Sequence, residues 1–345
     1  METLIKNFGK ILVIQTAFPG DAILTLPMIQ QLKKHHPDFL IDVLCIPSTE
    51  EIFKSSPFIN LVWELDKRGK HKSLFKMLKF IKEIKKNNYL KIYCPHRSLR
   101  SALITLQLGV KETYGFDNSS LKFAFRTTIP YNYTAHEVQR NLSLLGEEFE
   151  NDDWKVLPEL KISNEIQIKI SAFVAKNNIK QNLIAIAPGS VWQTKRYPAE
   201  QYTGIIKFLL EKKYKVIIIG GKNDKQISSL ISSEFEDQVL DVCGDFSFIE
   251  NIELLKYAKL LICNDSAPTH LGMCADIPVL TIYCSTIPEF GFYPYNGKSK
   301  SVSYNDLSCK PCGIHGYDAC PISTFDCGNL LKPGTVIKTI EEMIR

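Results

Sequence analysis

Between Leu260 and Cys284 an apolar run, a polar loop, one short helical segment and a second apolar run follow directly on one another. The runs read as buried strands and the whole as a strand–loop–helix–strand unit, the building block of a parallel α/β sheet. The loop Asn264-Asp265-Ser266-Ala267-Pro268 reads as a helix start. Asp265 or Ser266 can cap the helix, and Pro268 fits its first turn, where a missing N–H costs nothing. Such a loop, at the carboxyl end of a strand, offers free backbone amides, a hydroxyl and the His270 imidazole, a setting that suits a phosphate or diphosphate. Taken alone, the stretch is equally an ordinary well-capped helix, and other parts of the chain must supply complementary groups.

The same alternation runs through the chain. Strands are expected at Ile11–Gln15, Ile41–Ile46 and Lys91–Cys94, with helices after Asp21 and along Leu74, Leu78, Ile81 and Ile84. A polar, proline-containing stretch from Asn151 to about Ser163 is the candidate linker. Beyond it, strands at Leu183–Ala187 and Val216–Ile219 precede the opening unit. With 345 residues, two domains are expected, 1–160 and 161–345, joined so that strand ends face one another across a cleft. The last helix, 335–345, is one that could reach back onto the first domain.

Asp21, His96 and Arg97 stand at strand ends of the first half, where open sheets of this type bind ligands. Asp21 can cap a helix or act as a general base. In the second half, Lys195 and Arg196 follow the Pro188-Gly189-Ser190 loop and can neutralise charge on a departing diphosphate. No G-x-G-x-x-G follows the first strand and no G-x-x-x-x-G-K-[ST] occurs, which argues against a dinucleotide oxidoreductase and a P-loop NTPase.

The net charge of +5 is unevenly placed: residues 1–150 hold 21 Lys/Arg and 15 Asp/Glu, and Lys67–Arg100 holds 12 basic residues and one acid, Glu83. A basic first half suits an anionic partner, whether glycolipid, membrane surface or nucleic acid. No apolar run approaches the roughly 20 residues of a membrane span. The short run Ile11–Ile14 lacks a cleavage site, so it is read as a strand, and a cytoplasmic location is expected. Ten cysteines in such a chain argue against a disulfide framework. Cys309, Cys312, Cys320 and Cys327 form a cluster whose spacing only half fits zinc, so reduced thiols in a packed loop are expected and no metal.

Several separated motifs, in order, resemble glycosyltransferase family 9, the ADP-heptose:lipopolysaccharide heptosyltransferases. They are Pro19-Gly20-Asp21-x4-Leu26-Pro27, Arg97-Ser98-x-Arg100-Ser101-Ala102, His136-Glu137-x-x-Arg140, Pro188-Gly189-Ser190 with Lys195-Arg196-Tyr197-Pro198, and Asn264-Asp265-Ser266-Ala267-Pro268-x-His270. The resemblance implies a GT-B fold, two Rossmann-like domains, with acceptor bound by the first and nucleotide-sugar by the second. It also implies metal-independent, inverting transfer with no cofactor beyond the ADP-sugar co-substrate. Asp21 matches the family's base and Lys195 its diphosphate-binding lysine. Ser190, Arg196, Asp224, Asp265, Ser266, Ala267 and His270 fall to the donor, with Asp224 on the ribose. Arg97, Arg100, His136 and Arg140 fall to an acceptor bearing phosphates and carboxylates. Ala267 and the Cys284-Ser285-Thr286 loop depart from the family's glycines, which touches the choice of sugar.

The expected enzyme is a monomer that moves heptose or a related sugar to the lipopolysaccharide core, in peripheral contact with the inner face of the inner membrane. Two other functions compete: a GT-B nucleotide-sugar enzyme with another donor, and a non-catalytic nucleic-acid-binding protein. The basic segment lacks the interleaved aromatics that base stacking needs, so no nucleic-acid partner is expected.

Overall fold

The computed structural model describes residues 9–147, 149 and 151–345. The chain divides into two compact units, Met1–Lys161 and Ile162–Arg345.

The first unit runs β1 (Lys10–Ile14), α1 (Pro19–His35), β2 (Leu40–Cys45), α2 (Glu50–Lys54), β3 (Leu61–Glu64), α3 (Leu74–Lys85), β4 (Lys91–Cys94), α4 (Leu99–Leu108), β5 (Glu112–Phe116), β6 (Thr127–Ile129) and α5 (Glu137–Ser143). The second continues with α6 (Asn164–Lys176), β7 (Leu183–Ala187), α7 (Ala199–Glu211), β8 (Lys215–Ile218), α8 (Lys225–Ser232), β9 (Val239–Asp241), α9 (Phe248–Leu255), β10 (Ala258–Asn264), α10 (Ala267–Cys274), β11 (Val279–Tyr283), β12 (Lys300–Ser303), α11 (Asp326–Asn329) and α12 (Pro333–Ile344).

Both sheets are wholly parallel, ordered β3-β2-β1-β4-β5-β6 and β12-β11-β10-β7-β8-β9. Read from its β9 edge, the second has the strand order of the first, so each unit reverses direction once. That reversal falls between β1 and β4 in one unit and between β7 and β10 in the other, and a doubly wound sheet binds its ligand at this point. The central strands carry continuous apolar sequence because helices cover both sheet faces: Ile11–Ile14 and Leu183–Ala187 are buried throughout. Burying each such side chain contributes about 1.5–3 kcal/mol. The short strands β6 and β12 had no clear signal, since Thr127-Thr128 and the alternating Lys300–Ser303 lie at exposed sheet edges.

The boundary between the units, Lys161 to Ile162, falls inside the stretch expected as the linker. Up to Lys161 that stretch is bound to the first unit. Trp154 stacks on His136 at 4.8 Å, Gln30 bonds both Leu157 O (3.1 Å) and Glu159 N (3.0 Å), and Lys161 N donates to Ser55 O (2.7 Å). The closing helix α12 packs on α7, β10 and β12 of its own unit, with Val336 and Ile340 fully buried in that unit's core.

Candidate active site

In the first unit β1 delivers the chain to Phe18, the N-cap of α1, and Pro19 and Gly20 open the helix. Asp21 therefore lies in the first turn and is not the cap. Its carboxyl is raised to about 7 by burial first and the Glu137 carboxylate second. The Asp21 and Phe18 backbone amides and the Arg97 guanidinium pull the other way. A carboxyl held near neutrality can both take and return a proton under physiological conditions.

Glu137 owes its place to a network that sequence reasoning missed. Arg140 Nη1 donates to Glu137 Oε2 (2.9 Å) and to Tyr131 Oη (3.0 Å), and Tyr131 Oη donates to the same carboxylate oxygen (3.1 Å). Arg140 also donates to the carbonyls of Asn132 (2.7 Å) and Tyr133 (2.8 Å), and only 3% of it is exposed. His136 is 1% exposed. It caps α5, its Nδ1 accepting from Val138 N at 3.2 Å. Both residues, expected to meet the acceptor, are buried and hydrogen-bonded within the first unit. The two do not share a helical face, because His136 lies outside the helix that carries Arg140. The repeated Tyr131 and Tyr133 beside His136-Glu137 were the available signal.

Arg97 does reach the rim of this network, its guanidinium 3.9 Å above the Tyr131 ring. Arg100 is exposed in the first turn of α4, which Ser98 caps. His96 turns inward, with Nδ1 at 2.8 Å from Thr16 Oγ1 and 3.0 Å from Ser101 Oγ. Burial, then Lys67, Arg97 and Arg100, lower it to about 4, so it is neutral at physiological pH.

The second unit gathers its residues where β7, β8 and β10 end. Lys195 Nζ lies 2.7 Å from Asp265 Oδ2, which also accepts from Thr286 Oγ1 at 2.7 Å. Arg196 Nε donates to Ser190 O (2.7 Å), fixing the loop that holds buried Ser190. Ser266 is the N-cap of α10, but its hydroxyl donates to Gly189 O (3.2 Å) and leaves the helix's first amides without that side-chain cap. Ala267 and Pro268 fill the first two helical positions. Asn264 ties the two loops together: its Nδ2 donates to Pro188 O (2.7 Å), and its Oδ1 accepts from Tyr197 N (3.1 Å) and Tyr202 Oη (2.9 Å).

Asp224 accepts from Gly221 N (2.9 Å) and lies so close to Gly189 that a Cβ there would meet its Oδ1 at 2.1 Å. His270 is 4% exposed, with Nδ1 unpartnered, and burial lowers it to about 4. Cation, hydroxyl and helix N-terminus thus share one sheet edge, the arrangement that holds a diphosphate.

The cysteine loop adjoins this site. Thr194, next to Lys195, bonds Tyr317 through both backbone and hydroxyl, and Ser285 Oγ donates to Thr194 Oγ1 at 3.0 Å. Cys309, Cys312, Cys320 and Cys327 line one pocket of about 260 Å³. Among the described residues no three His, Cys, Asp or Glu side chains gather as metal ligands.

A family model described as glycosyltransferase family 9 (heptosyltransferase) matches residues 77–316. The chain is 25% identical to lipopolysaccharide heptosyltransferase 3 of Escherichia coli K12 over 279 residues, 78% of this chain and 80% of that one. A family 9 glycosyl transferase from Veillonella parvula superposes with a TM-score of 0.85 at 20% identity, covering 98% of this chain and 97% of that one. The E. coli ADP-heptose lps heptosyltransferase II gives 0.79 at 18%, covering 97% and 98%. The likeness in structure is one of fold, GT-B.

Proposed function

The chain belongs to glycosyltransferase family 9, and from that premise we propose that it moves heptose, or a related sugar, from an ADP-sugar to the lipopolysaccharide inner core. Relatives named as lipopolysaccharide heptosyltransferases and a structural neighbour named for ADP-heptose support the substrate classes. The observation that carries the reading is the second unit's switch point, where a cation stands beside a helix N-terminus; the first unit, taken by itself, holds a near-neutral carboxyl at its own switch point.

The first unit takes the acceptor and the second the nucleotide-sugar. Asp21 accepts the proton of the attacking hydroxyl, whose oxygen forms the new bond to the anomeric carbon. The bond from that carbon to the diphosphate oxygen breaks on the opposite face, so a single displacement inverts the centre. The charge left on the diphosphate falls to Lys195 and the first amides of α10. That protein-borne charge supports transfer without a metal. Asp265 and Thr286 hold the ammonium in position, Ser190, Arg196, Ser266, Ala267 and His270 shape the donor loop, and Asp224 meets the ribose hydroxyls. Arg97 and Arg100 receive the acceptor's anionic groups. Arg140 acts through Glu137 and Tyr131, and His136 caps the helix that carries Glu137 and Arg140. The enzyme works as a monomer, peripheral to the inner face of the inner membrane.

A thermal-shift series with ADP-, UDP- and GDP-sugars, followed by a transfer assay on a delipidated core acceptor, tests the reading. Stabilisation by the ADP-sugar with transfer of its sugar is expected. A preference for UDP-sugars would move the chain to another nucleotide-sugar reaction.

A further inference from the structure

The first unit carries apolar side chains that its own core does not use. Helix α3 buries Phe80, Ile81 and Ile84, yet Leu74, Phe75 and Leu78 are 75%, 78% and 40% exposed. On α4, Leu99, Leu103 and Leu106 recur at the i, i+4, i+7 spacing of one helical stripe and are also exposed. The two helices pack side by side. A single exposed leucine needs no explanation, whereas six large apolar side chains on adjacent helices mark a contact surface.

Charge says what the surface contacts. Lys72, Lys76, Lys79, Lys82 and Arg100 are exposed around these apolar positions, within the segment of 12 basic residues and one acid. Position says why. Helices in a parallel sheet start at its carboxyl edge, so the first turns of α3 and α4 stand at the edge that carries Asp21 and Arg97. Arg97 precedes exposed Leu99 by two residues, and Arg100 follows it.

We propose that the outer faces of α3 and α4 seat on an anionic phospholipid leaflet, with Leu74, Phe75, Leu78, Leu99, Leu103 and Leu106 entering the headgroup boundary and the lysines contacting the phosphates. The proposal rests on reading the chain as an enzyme whose acceptor is lipid-borne, and it assigns the residues that bring the acceptor edge to the bilayer. A second copy of the chain fits this face poorly, because a two-fold contact would set the same lysines against one another. Nucleic acid fits it poorly too, since leucines offer no stacking platform. Charge and apolar insertion contribute separately to such binding: the first is screened by salt and the second is not.

The test is co-sedimentation of the full chain with phosphatidylglycerol–phosphatidylethanolamine vesicles and with phosphatidylcholine vesicles, at low and high salt. The wild type should favour the anionic vesicles and retain part of its binding at high salt. Leu74→Ser/Phe75→Ser and Leu103→Ser/Leu106→Ser should each lower partition by on the order of tenfold at both salt levels. Lys76→Gln/Lys79→Gln should lower it at low salt alone. All three should keep wild-type turnover on a soluble acceptor, which also shows that they fold. Apolar variants that bind vesicles like the wild type would overturn the proposal. So would variants that merely dissolve a wild-type dimer. If the vesicle results hold but no sugar is transferred to the soluble acceptor, the surface stands and the proposed reaction falls.

Discussion

Lys195 Nζ and Asp265 Oδ2 meet at 2.7 Å with their side chains 13% and 8% exposed. A carboxylate this enclosed depends on its cation, and removing one partner of such a pair costs about 3–5 kcal/mol. Lys195→Ala should therefore lower the melting temperature and weaken ADP-sugar binding together. Lys195→Arg should keep the fold and restore binding only in part, since a planar fork places its charge differently from a point ammonium. Asp265→Asn tests the direction of dependence: it should leave Lys195 in place but loosely held, with weaker donor binding. Unchanged donor affinity in Lys195→Ala would remove the lysine from the donor site.

Asp21 must be ionised to take a proton, and its carboxyl ionises near 7. kcat/KM should rise with pH through that value. The Glu137 carboxylate raises Asp21 and the Arg97 guanidinium lowers it. Glu137→Gln should thus move the limb to lower pH, and Arg97→Ala should move it higher. Asp21→Asn should reduce turnover by on the order of 10²–10⁴ with donor binding intact. A limb that stays put in both flanking variants would show that the titrating group is not Asp21.

Arg97 and Arg140 both lie against the Tyr131 ring, at 3.9 and 4.8 Å, but in different settings. Arg97→Ala should raise KM for a soluble acceptor and leave melting unchanged. Arg140→Ala leaves Glu137 buried without its cation, so it should destabilise the first unit by several kcal/mol, on the scale of other broken buried pairs. Equal effects of the two on acceptor KM, with no loss of stability in either, would return Arg140 to the acceptor site.

At Gly189 a methyl group would meet Asp224 Oδ1 at 2.1 Å. The side chain can swing away at little cost, so Gly189→Ala should fold normally yet reproduce the nucleotide affinity of Asp224→Ala. Wild-type affinity in Gly189→Ala would mean that the Asp224 carboxylate does not meet the ribose.

What the sequence made legible was what local chemistry determines. The strand–loop–helix unit around Asp265 showed itself because buried parallel strands are continuously apolar and helix starts have few residue choices. The placement of Asp21, Lys195 and Ser190 at strand ends followed from that alternation. What stayed hidden was tertiary. Nothing near Glu137 in sequence says that its carboxylate bears on Asp21 across more than a hundred residues, or that Arg140 spends its donors inward. Nor does periodicity reveal that α3 leaves Leu74 and Phe75 outside, because an apolar residue carries the same signal whether it packs or not.

Cys320 differs from the other thiols in its surroundings. Burial raises it, but the amides of Phe325, Ile322, Thr324 and Ser323 together outweigh that and hold it below the usual thiol range. The loop takes left-handed backbone at Ser323 (φ 61°) and Phe325 (φ 51°) as it wraps the sulfur, and Phe325 N lies 3.4 Å from Sγ. Burial instead pushes Cys45, Cys94, Cys243 and Cys263 up to about 12, and Cys327 to about 11. Because the thiolate is the nucleophile, iodoacetamide near neutral pH should label Cys320 before those five. Its loop leads through Tyr317 to Thr194 and so to Lys195, and alkylation should therefore weaken ADP-sugar binding without touching the ligand directly. Cys320→Ser should abolish the fast label and protect donor affinity against the reagent. The spacing of the four thiols only half fits zinc, so elemental analysis should find no stoichiometric metal. A full equivalent, lost in Cys312→Ser and Cys320→Ser alike, would show instead that the amides hold a metal-bound thiolate.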